Sequence, residues 1–254
     1  MVALYSGKGG TGRTTVAVNL ASLLASEHRR RVVAMDMDLQ YGDLATVVAT
    51  SDDHPSIADL AAGAADEIDG DFLRTCLIPG PGGFSVLACP PRPELSELIT
   101  PAHVQRVLEL LRERFDMVVV DCGAHLSDTA TAVTDTADLI LLVTAATTAS
   151  LKSLRLARAL FEDLGVPARR MQVVLNHPDA HADFSDAEII ANLDAEVAAV
   201  IPHDSRTAVT ALDSGEPFVF TKPKSPITSA LRRLAADLVQ VTSAQAEVAG
   251  VLAR

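Results

Sequence analysis

Cysteine is scarce in this chain: Cys76, Cys89 and Cys122 are the only three in 254 residues. The number is odd and none stands in a C-x-x-C pair. That excludes a disulfide framework and reads as reduced thiols of a cytosolic protein. Basic charge is short as well. Lys and Arg number 21 against 33 Asp and Glu, giving a formal net charge of −12 and a pI near 4.9. A surface this acidic argues against non-specific DNA binding, which relies on neutralising phosphates. It argues equally against holding an anionic membrane by charge. Long apolar runs are missing: the longest candidate, LILLVTAATTA (139–149), is strand-sized before it turns polar, far from the roughly 20 residues of a membrane span. The first apolar run is too short for a signal peptide and leads straight into a glycine-rich loop. Internal repeats and low-complexity tracts are absent too. IPGPGG (78–83) reads as a turn before a strand and AGAADEIDG (62–70) as an exposed acidic loop, so 1–254 reads as a single domain.

What is present is apolar sequence cut into short pieces. Hydrophobic residues make up 48% of the chain, enough for a sizeable core. Candidate strands are VALYS (2–6), RVVAMD (31–36), FSVLAC (84–89), MVVVD (117–121), LILLVT (139–144), MQVVLN (171–176) and VAAVI (197–201). Their continuous rather than alternating hydrophobicity suits parallel strands covered on both faces. Helical patterns lie between them. Thr100-Pro101 opens one, with Val104, Val107, Leu108, Leu111 and Phe115 on its apolar face; Ser225-Pro226 opens the last, with Ile227, Leu231, Leu234 and Leu238. Residues 148–164 form another. The alternation predicts an α/β fold, a doubly wound, mostly parallel β-sheet flanked by helices.

Chemistry concentrates at SGKGGTGRTT (6–15), between the first strand and an apolar helix pattern. The spacing of Gly7, Gly12, position 13 and Thr14 follows G-x-x-x-x-G-K-[ST], except that Arg13 stands where the lysine belongs. Glycines let such a backbone curl so that successive N–H groups point inward, and the following helix start adds further donors and a favourable dipole. Gly7, Lys8, Gly9, Gly10, Thr11, Gly12, Arg13, Thr14 and Thr15 are therefore the candidate phosphate cradle, with the Thr14 hydroxyl available to Mg²⁺. Arginine keeps the lysine's charge but is planar and differently aimed. The expectation is that nucleotide phosphates are still held while turnover is slow or absent.

Carboxylates follow two strand ends. MDMDLQYGD carries Asp36 and Asp38, and MVVVD ends on Asp121, where open α/β sheets place ligands. Asn176 ends a later strand, and Pro202 with His203 follows the next. HPDAHAD (177–183) clusters histidines and aspartates in no standard zinc spacing and reads as a polar surface loop. Cys122 has no positioned histidine and reads as a buried structural thiol.

The glycine loop, with Lys8 in KGG, resembles the deviant Walker A branch of P-loop ATPases that includes the MinD, ParA and CpaE/TadZ proteins. That resemblance implies ATP and Mg²⁺ as cofactors and a homodimer formed on ATP binding, with Lys8 reaching the partner's phosphates. It implies Asp38 as the residue handling the attacking water, Asp36 and Asp121 as Mg²⁺ supports beside Thr14, and Asn176 and Pro202 as the adenine pocket. Cys122-Gly123 departs from the Asp-Thr-Pro run usual in the family. DMDLQYGDLA, VLACPPRPELSELIT, IPHDSRTAVTALDSGEP and PKSPITSALRRLA read most like CpaE/TadZ pilus-assembly ATPases. This branch implies a cytoplasmic positioning switch for pilus or secretion machinery, recruited to a pole or the inner membrane face through partners. It also implies a receiver-like domain ahead of the ATPase, which this chain, starting on its first strand, is expected to lack. A nucleotide-independent scaffold, a MinD-like division regulator and a ParA-like partitioning ATPase are the alternatives. Nucleic acid and direct membrane insertion are not expected, since VTSAQAEVAGVLAR (241–254) is a poor membrane anchor and reads as a frayed helix end.

Overall fold

The computed structural model describes residues 1–48, 54–177, 185–193 and 195–252, with side chains through 241. The strands are β1 (Val2–Tyr5), β2 (Val32–Met37), β3 (Ile78–Pro79), β4 (Ser85–Leu87), β5 (Met117–Cys122), β6 (Leu139–Ala145), β7 (Met171–Asn176) and β8 (Glu196–Ile201). They form one sheet in the order β3-β4-β2-β5-β1-β6-β7-β8. Every pairing is parallel except β3 with β4. The helices are α1 (Arg13–Ser26), α2 (Leu44–Val48), α3 (Ile57–Leu60), α4 (Gly70–Thr75), α5 (Pro101–Arg114), α6 (Asp128–Thr136), α7 (Thr148–Asp163), α8 (Asp186–Asn192), α9 (Ser205–Ser214), α10 (Phe218–Thr221) and α11 (Pro226–Leu252).

The unbroken apolar strands follow from cover on both faces. Along β1, Val2 and Leu4 join one core cluster while Ala3 and Tyr5 join the other, the two-residue period of a pleated strand. On the first side α1 and α11 pack their Leu20, Leu24, Leu231 and Leu234. On the second, α5 and α7 contribute Val104, Leu108, Leu111 and Phe161, the last edge-on to Tyr5 with ring centroids 5.0 Å apart. All seven expected strands are present, and the expected stripes of α5 and α11 are buried, except that Phe115 caps the end of α5 and is only partly buried. The Thr100 cap also forms: its hydroxyl accepts from the His103 N–H, and His103 Nδ1 accepts from the Thr100 N–H at 3.2 Å.

Two segments differ from expectation. Residues 78–79 form the short antiparallel edge strand β3, because the turn after them folds back and lets Ile78 pair with Val86. Residues 62–70 are not a plain exposed loop. Ala65–Glu67 is a 3₁₀ turn and Ile68 is 1% exposed in the core, an anchor hidden among acidic neighbours. Helix α11 runs through Leu252. Among the described residues, no helix is long and apolar enough to cross a membrane.

Candidate functional site

Parallel order brings the ends of β1, β2, β5, β7 and β8 to one end of the sheet, and every candidate residue except those in 178–184 lies there. The loop leaving β1 turns into α1 through Gly10 and Gly12, at φ 77° and 86°. Only glycine adopts this left-handed backbone without strain. Gly12 accepts the first helical bond of α1, from Val16 at 2.9 Å, which leaves the N–H groups of Arg13, Thr14 and Thr15 without carbonyl partners inside the helix. A helix start preceded by a curled glycine loop is a cradle for an anion. From the side, Asn176 at the end of β7 straps the loop by donating its Nδ2 to the Thr11 carbonyl at 2.8 Å. The approach is so close that a Cβ on Gly12 would lie 2.3 Å from that nitrogen. The Thr11 hydroxyl is buried with no hydrogen-bond partner among the described residues.

Beneath the loop, register places Asp36 of β2 directly beside Asp121 of β5. Asp36 is 0% exposed and accepts from the N–H groups of Asp38 and Leu44, each at 3.0 Å. Burial, then the neighbouring Asp121 charge, push Asp36 up to about 8 despite those two bonds. Burial raises Asp121 too, with Arg13 and Thr14 pulling against it.

Arg13 turns down into this acid cluster. Its Nε donates to Asp121 Oδ1, its Nη2 to Asp38 Oδ2 at 3.2 Å and its Nη1 to Ser6 Oγ at 3.2 Å. The side chain is only 10% exposed. Burial alone would lower its pKa; Asp121 and Asp38 more than reverse that, so the guanidinium stays cationic. Thr14 also turns to Asp121, its hydroxyl donating to Oδ2 at 2.5 Å.

Asn176 and Pro202 come together as expected, lining a mostly apolar cavity of about 320 Å³ beside the loop with Thr15, Val16 and Phe218. Lys8 stands exposed on the outside of the loop, and its ammonium has no ion-pair partner among the described residues. His203 lies against the His177 carbonyl, with Nδ1 at 3.3 Å. Of HPDAHAD only His177 is described; its Nε2 lies 2.8 Å from Asp186 Oδ1, and the rest lies outside the described residues. Cys122 continues β5 in register with Met37.

Two contributors escaped the sequence reading. Ser6 shares Arg13 and ties its own hydroxyl to the Lys8 carbonyl at 3.0 Å; its only signal was adjacency to the loop. Gly42 packs flat on Asp36, where a Cβ would stand 2.4 Å from both carboxylate oxygens. A glycine directly before Asp43 in QYGD was the only hint.

All three thiols are free and buried. Burial first, then nearby carboxylates, push Cys89 and Cys122 up to about 12, and burial raises Cys76. Because the thiolate is the reactive form, a colorimetric disulfide reagent at mildly alkaline pH should find no fast-reacting thiol in the native protein. All three should react after denaturation. A rapidly titrating native thiol would contradict this packing.

The AAA-domain family AAA_31 matches residues 1–162, well over half of the chain. The chain belongs to this family. Among curated relatives, the septum site-determining protein MinD of Bacillus subtilis is 25% identical over 241 residues, covering 92% of this chain and 87% of its own. Among solved structures, a ParA family ATPase from Chlorobium tepidum superposes with a TM-score of 0.84 at 24% identity, covering 92% of this chain and 98% of that one. MinD from Pyrococcus horikoshii, complexed with Mg-ADP, superposes with a TM-score of 0.80 at 24% identity, over 93% and 94% of the two chains. The fold is therefore that of the MinD/ParA P-loop ATPases.

The residues expected to serve Mg²⁺ are less open here than the motif suggests. Both oxygens of Asp36 accept backbone N–H groups, both oxygens of Asp121 are engaged by Arg13 and Thr14, and the Thr14 hydroxyl points at Asp121. Among the described residues no group of three or more His, Cys, Asp or Glu is arranged to hold a metal ion. As arranged, with these oxygens engaged by Arg13, Thr14 and the backbone, this donor set does not fit a metal ion held by protein side chains alone.

Proposed function

We propose that this chain is an ATP-binding switch that dimerises on its nucleotide and positions other proteins in the cell. The observation that carries the reading is the curled loop, with Gly10 and Gly12 in left-handed conformations at the start of α1, set over the Asp36–Asp121 pair and beside the Asn176–Pro202 cavity. In this reading the N–H groups of 7–15 hold the phosphates. The cavity takes the base, with its apolar walls excluding water and Asn176 offering the amide hydrogen bonds its strap to Thr11 leaves over. Asp38, half-buried beside the loop, orients the attacking water. Lys8, exposed and without an ion-pair partner, crosses to the phosphates of a second copy. Arg13 is tied to acids and so is poorly placed to follow charge as it develops on a transferring phosphoryl group, which supports slow or absent turnover. The sequence resemblance to CpaE/TadZ, from DMDLQYGDLA onward, supports pilus or secretion machinery as the positioned cargo and recruitment to a pole or the inner membrane face through partners. The MinD and ParA relatives support the broader class of partner-positioning ATPases.

Light scattering with and without ATP is the test. The molecular mass should double with ATP, and Lys8→Ala should stay monomeric while still binding nucleotide. A second reading, a scaffold indifferent to nucleotide, draws on the Arg13–Asp121–Asp38 cluster, which already engages the guanidinium with two acids of the site. A dimer of the same stability with and without ATP would select it.

A further inference from the structure

We propose that this site takes its nucleotide as the metal-free polyphosphate anion, with the Arg13 guanidinium serving as the fixed cation that a bound metal would otherwise supply. The inference rests on the nucleotide-binding reading above and specifies the form of the ligand. A nucleoside polyphosphate brings several negative charges to a cradle that already overlies Asp36, Asp38 and Asp121. Some cation must offset that repulsion. A divalent ion such as Mg²⁺ demands near-octahedral oxygen ligands and dehydrates reluctantly. Here the oxygens of Asp36 and Asp121 already accept hydrogen bonds, and the Thr14 hydroxyl is turned toward Asp121 rather than outward.

Arg13 stands in the middle of this group. It bridges Asp121 and Asp38, 83 residues apart in the chain, in a side chain that is nine-tenths buried. Arginine cannot be neutralised by losing a proton in a protein, so the charge is permanent where a metal's is conditional on supply. Three of its N–H donors are engaged, by Asp121, Ser6 and Asp38. A guanidinium carries about five, and the two left over, one on each terminal nitrogen, suit phosphate oxygens, which guanidinium groups bind in fork geometry. A metal arriving at the same acids would have to displace this guanidinium or sit against its positive charge. Lysine, the usual residue at this position of the motif, has three donors on one compact ammonium, so contacts to two acids and a serine would leave it none for phosphate. A bridging metal is what normally neutralises charge as phosphates separate; a site that binds without one holds its nucleotide rather than turning it over.

The experiment is a calorimetric titration of the wild-type protein with ATP, once in excess MgCl₂ and once in excess EDTA, repeated with Arg13→Lys. The expected result is that the wild-type Kd differs by less than about tenfold between the two conditions. Arg13→Lys should weaken by more than about tenfold when Mg²⁺ is removed. Wild-type binding that requires Mg²⁺ overturns the inference and leaves the nucleotide-binding reading intact. Binding in neither condition overturns both. The wild-type comparison needs no variant, so a poorly folded Arg13→Lys protein does not blunt it.

Discussion

Replacing Arg13 by alanine is expected to destabilise the folded protein by about 3 kcal/mol, the cost of stranding one partner of a buried ion pair. For a chain of this size that lowers the melting temperature by roughly 6 to 12 °C. The expectation follows from where the guanidinium sits. Asp121 is 1% exposed, lies beside the fully buried Asp36, and has Arg13 as its ion-pair partner. Without it, burial and the like charge of Asp38 act on Asp121 against the Thr14 hydroxyl alone. Its folded pKa then moves further above that of the unfolded chain. A carboxylate raised in this way loses stability as pH climbs from about 4, the unfolded value, toward the folded one. The deficit of Arg13→Ala should therefore be smallest in acid and widen toward neutrality. Arg13→Ala/Asp121→Asn should recover much of it, since the stranded charge is gone. Thermal melts of the two variants across a pH series read this directly. If Arg13→Ala melts within about 2 °C of wild type near neutral pH, the guanidinium is not the counter-ion of the cluster.

Gly12→Ala should cost nucleotide binding roughly a hundredfold, close to 2.7 kcal/mol. Two separate penalties add. At φ 86° an alanine is held in the left-handed region, at about 1–2 kcal/mol. Its Cβ would also stand 2.3 Å from Asn176 Nδ2, so either the loop opens or the strap from Asn176 to Thr11 breaks. Both outcomes disperse the inward-facing N–H groups. Gly9→Ala is the matched control, since nothing lies within 4 Å of a Cβ there and its φ is not positive. It should bind within about threefold of wild type, a difference under about 0.7 kcal/mol. Equal ATP affinity for Gly12→Ala and wild type, measured by calorimetry, would move the nucleotide site away from this loop.

Much of this architecture was legible in the chain. The strands 2–6 and 117–121 announced themselves because parallel strands buried on both faces must be apolar at every position, and the loop between β1 and α1 because only glycines at set intervals permit its curl. The edge strand at Ile78–Pro79 was not legible. Two residues carry no period, and their pairing depends on Phe84 and Ser85 folding back against them. Ile68 was hidden for a related reason: one buried side chain among acidic neighbours has no pattern. The acids were found at their strand ends, but their states were not. Whether Asp36 is ionised depends first on its burial and then on its neighbour across the sheet, which is 85 residues away in sequence.

The sequence alone determined the α/β class, the order of most of its elements, and the position and spacing of the phosphate-type loop, because these rest on local periodicity and on glycine's backbone freedom. Only the tertiary structure decided what Arg13 does. As a letter in the motif it is a misplaced phosphate ligand; in the fold it is held by Ser6, Asp38 and Asp121. The physical reason is the register of β2 against β5. That register buries two carboxylates side by side under the loop, and a long, permanently charged side chain goes where the nearest uncompensated charge is.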